Sequence, residues 1–324
     1  MRHFLKPTFR WAVLIGVLLL AAATMMAAKR DSDAKKAGPA DQKTAQADPS
    51  QYVGSDTCKG CHDEAGKSIE AGPHFRIGTS KKIRGEEVHG CESCHGAGAA
   101  HVEGGGDKSK IFNFKGVKPE EITKRCMTCH ESSPEQRDFM RSTHNENGVT
   151  CTTCHSVHHS TREYQLVKAQ TPLCFSCHAE QKADFQKPFR HRVDEGLIQC
   201  GDCHNAHGTT VGRQLRATAD QNFVCFKCHT DKRGPFFYEH EPVKVEGCSY
   251  CHTPHGSTNP RLLNVARINS LCLQCHTNMG GRNAAGSTNP GTGSIHQQNR
   301  YNQSCIICHS NIHGSNASSL LFTP

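Results

Sequence analysis

The sequence predicts an array of short α-helices and loops with little regular secondary structure and no single apolar core. Three observations carry this. Only 35% of the 324 residues are hydrophobic and 6% aromatic, too few to build the interior that a chain of this length would need. Glycine (29) and proline (14) interrupt every long periodic run. One short cysteine–histidine motif recurs along most of the chain, as in arrays whose repeats stack on their neighbours.

Two segments precede the array. Residues 1–28 open with a basic stretch, MRHFLKPTFR, and continue as the uncharged apolar run Trp11–Ala28. This is the layout of a secretory signal; at 18 residues the run also reaches the lower limit for a retained inner-membrane anchor. An alanine-rich end near Ala23 or Ala28 favours cleavage. Residues 29–56 are rich in Ala, Asp, Lys and Gln and read as a flexible tether. Residues 57–324 form the array. The formal charge of +8 falls to +5 when Arg2, Lys6 and Arg10 leave with the signal. Scattered basic residues on an exported chain argue against a nucleic-acid partner.

All 20 cysteines fall in ten copies of CxxCH, with none left over. They are Cys58 and Cys61 with His62, Cys91 and Cys94 with His95, Cys126 and Cys129 with His130, and Cys151 and Cys154 with His155. Then come Cys174 and Cys177 with His178, Cys200 and Cys203 with His204, and Cys225 and Cys228 with His229. Cys248 and Cys251 with His252, Cys272 and Cys275 with His276, and Cys305 and Cys308 with His309 complete the set. Disulfides suit an exported chain but require no histidine after each second cysteine. Zinc sites use CxxC pairs, and again the ten histidines would be unexplained. CxxCH is the attachment site of haem c: two thiols bind the porphyrin covalently and the adjacent histidine ligates iron. The fold class is therefore a multihaem cytochrome c, an extended array in which ten covalently attached haem c groups replace the missing core. If all propionates are ionised, about twenty negative charges outweigh the +5 and leave the basic residues as local partners of those acids.

The second axial ligand decides what such a protein does. Haem iron with one protein ligand keeps an open face for chemistry, whereas iron with two mainly passes electrons. Apart from the motifs and His3, twelve histidines remain. They divide the chain into five two-haem modules, about 58–101, 126–158, 174–207, 225–255 and 272–313, each with one intervening and one trailing histidine. The intervening set is His74, His144, His191, His240 and His296; the trailing set is His101, His158, His207, His255 and His313. These ten are the expected distal ligands, with His89 and His159 as spares. Modules three and four repeat internally, KADFQKPFRH (182–191) against DKRGPFFYEH (231–240), each running on to CHxxHG.

The trailing histidine of CHNAHG (203–208) or CHTPHG (251–256) cannot serve the haem attached just before it. Opposite axial ligands need Cα atoms roughly 12 Å apart, and three chain steps span at most about 10 Å. It must cross to another haem. The expected pairing sends the trailing histidine to the first haem of its own module and the intervening one to the second.

These motifs, with DKRGPFFYEHEPV running to CSYCHTPHGS and the C-terminal CIICHSNIHGSN, resemble the decahaem c-type cytochromes of the MtrA/MtoA/PioA/DmsE family, over about Cys58 to Asn316. The resemblance implies ten bis-histidine haems forming a wire inside an outer-membrane β-barrel porin. It implies a periplasmic location at the outer membrane, with periplasmic or inner-membrane c-type cytochromes as partners and an extracellular multihaem cytochrome or iron mineral beyond. The expected role is an electron conduit, in iron oxidation or metal reduction, rather than an enzyme. Two other readings are a multihaem oxidoreductase with one open haem and a periplasmic electron shuttle without a porin.

Overall fold

The computed structural model describes residues 48–159, 161–217, 220, 222–276 and 304–322. The chain divides into two units, Met1–Pro49 and Ser50–Pro324, and the second holds all ten motifs. The apolar segment 1–28 and residues 29–47 lie outside the described residues. The stretch read as tether to residue 56 is folded from Pro49 onward: Pro49–Gln51 is a 3-10 turn and Ser55–Lys59 an α-helix.

The longest described helix, Pro119–His130, has 12 residues. Proline in its first turn, with Glu120 and Glu121 beside it, suits the positive end of a helix, and the third motif closes it. Among the described residues two ladders supply the regular β-structure: Lys82–Ile83 against Glu86–Glu87, and Tyr238–Glu239 against Gly314–Ser315. Each strand is two residues long, too short for the alternation by which a strand is read from sequence. No described helix is long and apolar enough to cross a membrane.

Each motif is one helical turn. The N–H of the motif histidine donates to the carbonyl of its first cysteine, at 2.9 Å for His62, His155, His178, His204 and His229. Residues i, i+3 and i+4 of such a turn share a face, so two sulfurs and an imidazole are presented together.

Four of the five motif pairs are latched by a polar side chain three or four residues before the odd-numbered motif. Ser55 Oγ accepts from the Cys91 N–H (3.2 Å), Gln170 Oε1 from Gly201 (2.7 Å), Asn222 Oδ1 from Cys248 (2.8 Å) and Asn269 Oδ1 from Cys305 (2.9 Å). The first cysteines of each pair are close neighbours: Cys58 and Cys91, Cys126 and Cys151, Cys174 and Cys200, Cys225 and Cys248, and Cys272 and Cys305. Between pairs, the second cysteines are neighbours, as in Cys94 with Cys129 and Cys154 with Cys177. The motifs therefore follow one another in space in the order of the sequence.

Among the described residues only seven apolar side chains are buried: Val88, Ile122, Met127, Phe139, Phe185, Val193 and Leu263. Polar residues hold the frame instead. Glu92, inside the second motif and 3% exposed, accepts from the N–H groups of Val53 (3.0 Å), Gly54 (2.9 Å) and Gly98 (2.8 Å). An ionised carboxylate offers acceptors only, so all three donors are satisfied. Glu92→Gln turns an NH₂ toward one of them, at an expected cost of about 1.5–3 kcal/mol. Faster proteolytic cleavage within residues 48–54 checks this; wild-type resistance would count against the latch.

Candidate functional site: paired imidazoles along the array

Nine motif histidines each face one imidazole from elsewhere in the chain. The ring centres of His62 and His101 are 6.4 Å apart, of His95 and His158 6.2 Å, and of His130 and His74 6.1 Å. His155 faces His207 at 5.9 Å, His178 faces His144 at 6.0 Å, and His204 faces His255 at 6.1 Å. His229 faces His191 at 6.3 Å, His252 faces His313 at 6.3 Å, and His276 faces His240 at 6.4 Å. The expected partner of His309, His296, lies outside the described residues. A metal bonded to one nitrogen of each ring at about 2.0–2.1 Å, with about 1.1 Å from nitrogen to ring centre, separates the centres by about 6.3 Å. The nine spacings fit a metal held between two imidazoles, so the residues present suit an axially ligated haem. No cluster of three or more His, Cys, Asp or Glu converges among the described residues, so the CxxC pairs do not combine in fours as in a zinc site.

The pairing differs from the one expected. The sequence reading sends His207 to the fifth motif; the structure places it against His155 of the fourth. His255, expected at the seventh, faces His204 of the sixth. His74 and His144, expected within their own modules, face His130 and His178 of the next. The cause is where the trailing loops dock. Asn205 Nδ2 donates to the carbonyl of Glu135 at 3.1 Å, and Arg216 pairs with the Glu135 carboxylate at 2.8 Å. Ser257 forms a β-bridge with Phe189. Each loop thus lies on the linker of the preceding module. The glycine of CHxxHG permits this approach: a Cβ on Gly208 would lie 2.7 Å from the Asp138 carbonyl oxygen, and one on Gly256 2.0 Å from that of Asp184.

Shifted by one motif, the array becomes regular. Each unit then reads intervening histidine, even motif, trailing histidine, odd motif. The intervening histidine faces the odd motif of its own unit, and the trailing one reaches the even motif of the unit before, with His101 reaching the first motif.

The second ring nitrogen is anchored on backbone carbonyls. In even motifs, Nδ1 of His95, His155, His204, His252 and His309 bonds to the carbonyls of Phe112 (2.9 Å), Tyr164 (2.7 Å), Arg213 (2.9 Å), Arg261 (2.8 Å) and Leu320 (2.6 Å). At odd motifs it is the facing histidine that is anchored: His101 on Asp107 (2.9 Å), His144 on Ala206 (2.8 Å) and His191 on Pro254 (2.7 Å). With Nδ1–H donating, Nε2 is left free to bind a metal, and the bond fixes ring orientation and raises the basicity of that nitrogen.

Three of the even-motif anchors are built from non-glycine residues in the left-handed region. These are Tyr164–Gln165 (φ 54° and 54°), Arg213–Gln214 (59° and 52°) and Arg261–Leu262 (60° and 59°). Each such residue costs about 1–2 kcal/mol. The bonds around it hold it there: carbonyls 165, 214 and 262 each accept at 2.8 Å from the residue after the motif histidine.

Burial sets the charge of the rings. It pushes His207 and His313 down to about 4, and lowers His74, His158 and His255. These imidazoles are neutral near neutral pH, the form that ligates metal. His89 instead stacks on Tyr52 at 4.0 Å with planes 14° apart. His159 lies beside His158, where CHNAHG and CHTPHG carry glycine. Sequence reasoning missed the polar latches and carbonyl anchors, although YQL (164–166), RQL (213–215) and RLL (261–263) recur at one distance after their motifs.

Comparison with known proteins gives the same frame. The chain matches the family model of the doubled CXXCH motif at residues 143–183, 191–234 and 240–281. Each match begins at or beside an intervening histidine and ends just past the odd motif that it faces. Residues 101–156 match the model for cytochrome c554 and c-prime. The chain is 36% identical over 246 residues to "Multiheme cytochrome MtrA" of Shewanella baltica, covering 74% of this chain and 72% of that protein. It is 31% identical over 125 residues to "Cytochrome c-type protein NrfB" of Escherichia coli, covering 33% of this chain and 65% of that protein. With its repeated haem-attachment motifs and this breadth of identity, the chain belongs to the MtrA family of multihaem cytochromes, and it is an electron-transfer protein.

Proposed function

We propose that the protein carries ten haem c groups, each attached through one CxxCH motif and each held between two histidines, and that it relays electrons along them. The observation that carries this reading is the row of nine imidazole pairs, spaced for a metal between them. Haem c with both axial positions filled exchanges single electrons and has no vacant position for substrate. The chain's part is to keep the sites adjacent. First-cysteine neighbours alternate with second-cysteine neighbours, so successive motifs lie side by side. The histidines interlock the series, because each unit lends its trailing imidazole to the one before.

In the finer reading the relay is a conduit across the outer membrane. The protein is exported to the periplasm and sits in a β-barrel porin. It draws electrons from, or delivers them to, periplasmic or inner-membrane c-type cytochromes, with an extracellular multihaem cytochrome or iron mineral at the far side. The export-type segment 1–28 and family membership support this. Haem content and spin state test the first part: the purified protein should hold ten haems, all low-spin when oxidised. A high-spin fraction, or fewer haems, would favour an oxidoreductase with an open site. Co-purification with a β-barrel protein from outer membranes tests the second; recovery as a free periplasmic protein would favour a shuttle.

A further inference from the structure

The facing imidazoles differ widely in the angle between their planes. At His74/His130, His144/His178 and His191/His229 the planes cross at 67°, 73° and 60°. At the other six described pairs the angle runs from 13° to 45°, and four of these are at 20° or less. All three crossed pairs use an intervening histidine.

For two of them a backbone carbonyl fixes the plane of one ring. His144 Nδ1 donates to the carbonyl of Ala206 at 2.8 Å, and His191 Nδ1 to that of Pro254 at 2.7 Å. Both carbonyls lie inside a CHxxHG stretch, one residue before a trailing histidine that serves another pair. A ring tied at Nδ1 to a fixed carbonyl and presenting Nε2 to a metal cannot turn about that direction without carrying its N–H off the acceptor. His207, on an aligned pair at 16°, has no such bond among the described residues, while His101, tied to the Asp107 carbonyl, lies at 20° to His62, so it is where the carbonyl sits that turns a ring.

We propose that the carbonyls of Ala206 and Pro254 are positioning groups that hold His144 and His191 crossed against His178 and His229, placing these two sites, with His74/His130, in an electronic class distinct from the aligned pairs. The physical basis is orbital. Aligned imidazoles donate into the same metal d orbital and split it from its partner, whereas crossed imidazoles donate into both and leave them nearly equal. Low-spin ferric sites of the two kinds therefore differ in magnetic anisotropy, and the alternation along the array is a difference between neighbours in how readily each site is oxidised. The inference rests on the two-histidine ligation proposed above.

Electron paramagnetic resonance of the oxidised, fully loaded protein tests both levels separately. Absence of any low-spin signal would overturn the ligation itself. Low-spin signals of the aligned type alone would leave ligation standing and overturn only the present proposal; the expected spectrum contains both types. His144→Gly should lose one site's share of the crossed signal and gain a high-spin one. Added imidazole, which retains an N–H for Ala206, should restore the crossed signal. Added 1-methylimidazole, which has none, should restore a low-spin site without it. Recovery of the crossed signal with 1-methylimidazole would overturn the proposal. His191→Gly repeats the test against Pro254 should the first variant fail to load. His207→Gly, with no carbonyl to lose, should respond alike to both compounds, and a difference there would also count against the proposal.

Discussion

Replacing His207 by glycine will open one site to carbon monoxide, and that site will be the one attached through Cys151 and Cys154. His207 stands 5.9 Å from His155, while His178, the partner expected from module order, faces His144 at 6.0 Å. His207 is also among the most strongly desolvated imidazoles, held neutral with a pKa of about 4, so glycine leaves a cavity at the metal-facing position and no replacement ligand. The expected result is about one equivalent of carbon monoxide bound per reduced protein, against none for wild type. Double variants locate it. Uptake should vanish when Cys151→Ala and Cys154→Ala are added, and survive Cys174→Ala with Cys177→Ala. The reverse pattern would show that ligation stays within the module and that the frame described above is wrong.

Gly256→Ala should be among the most damaging substitutions that remove no ligand. Its Cβ would sit 2.0 Å from the Asp184 carbonyl oxygen and 2.9 Å from the carbonyl carbon, and backbone cannot rotate aside as a side chain can. Overpacking of this kind costs about 1–3 kcal/mol, occasionally more. The loop that must retreat carries His255, whose ring lies 6.1 Å from His204, so lost stability and lost ligation should appear together. We expect a lower denaturation midpoint and a high-spin fraction from the sixth site. Gly212, where an added Cβ would meet nothing within 4 Å, is the control, and Gly212→Ala should stay within about 0.5 kcal/mol of wild type. Equal effects at the two positions would refute close approach as the reason for glycine in CHxxHG.

Much of the site was legible without coordinates because its chemistry is written in residue types at short spacing. The motif turn needs only five residues, so the geometry of Cys58, Cys61 and His62 follows from local helical periodicity. Chain reach correctly separates His207 from His204 and His255 from His252, since that too is local. The choice between His74 and His89 is visible in their surroundings: one faces His130, and the other lies on Tyr52. Direction was not legible. Reach allows His207 to cross toward either neighbour, and what decides is the docking of Asn205 on Glu135 and of Gly208 on Asp138, contacts about seventy residues apart in sequence. The left-handed pairs at Tyr164, Arg213 and Arg261 were illegible for another reason. Glycine usually announces such a conformation, and here bulky residues are held in it by hydrogen bonds.

The amino-acid sequence by itself determined the ten CxxCH motifs, the supply of imidazoles and the scarcity of apolar residues for a conventional core, because motifs and composition do not depend on how distant segments meet. Tertiary structure decided which imidazole faces which motif, and at what angle. Those outcomes depend on loops of one unit settling on linkers of another, on Glu92 gathering three backbone donors from two segments, and on carbonyls such as Ala206 arriving from 62 residues away to fix a ring. A histidine's position along the chain shows that it can ligate; only its neighbours in space set its partner and its plane.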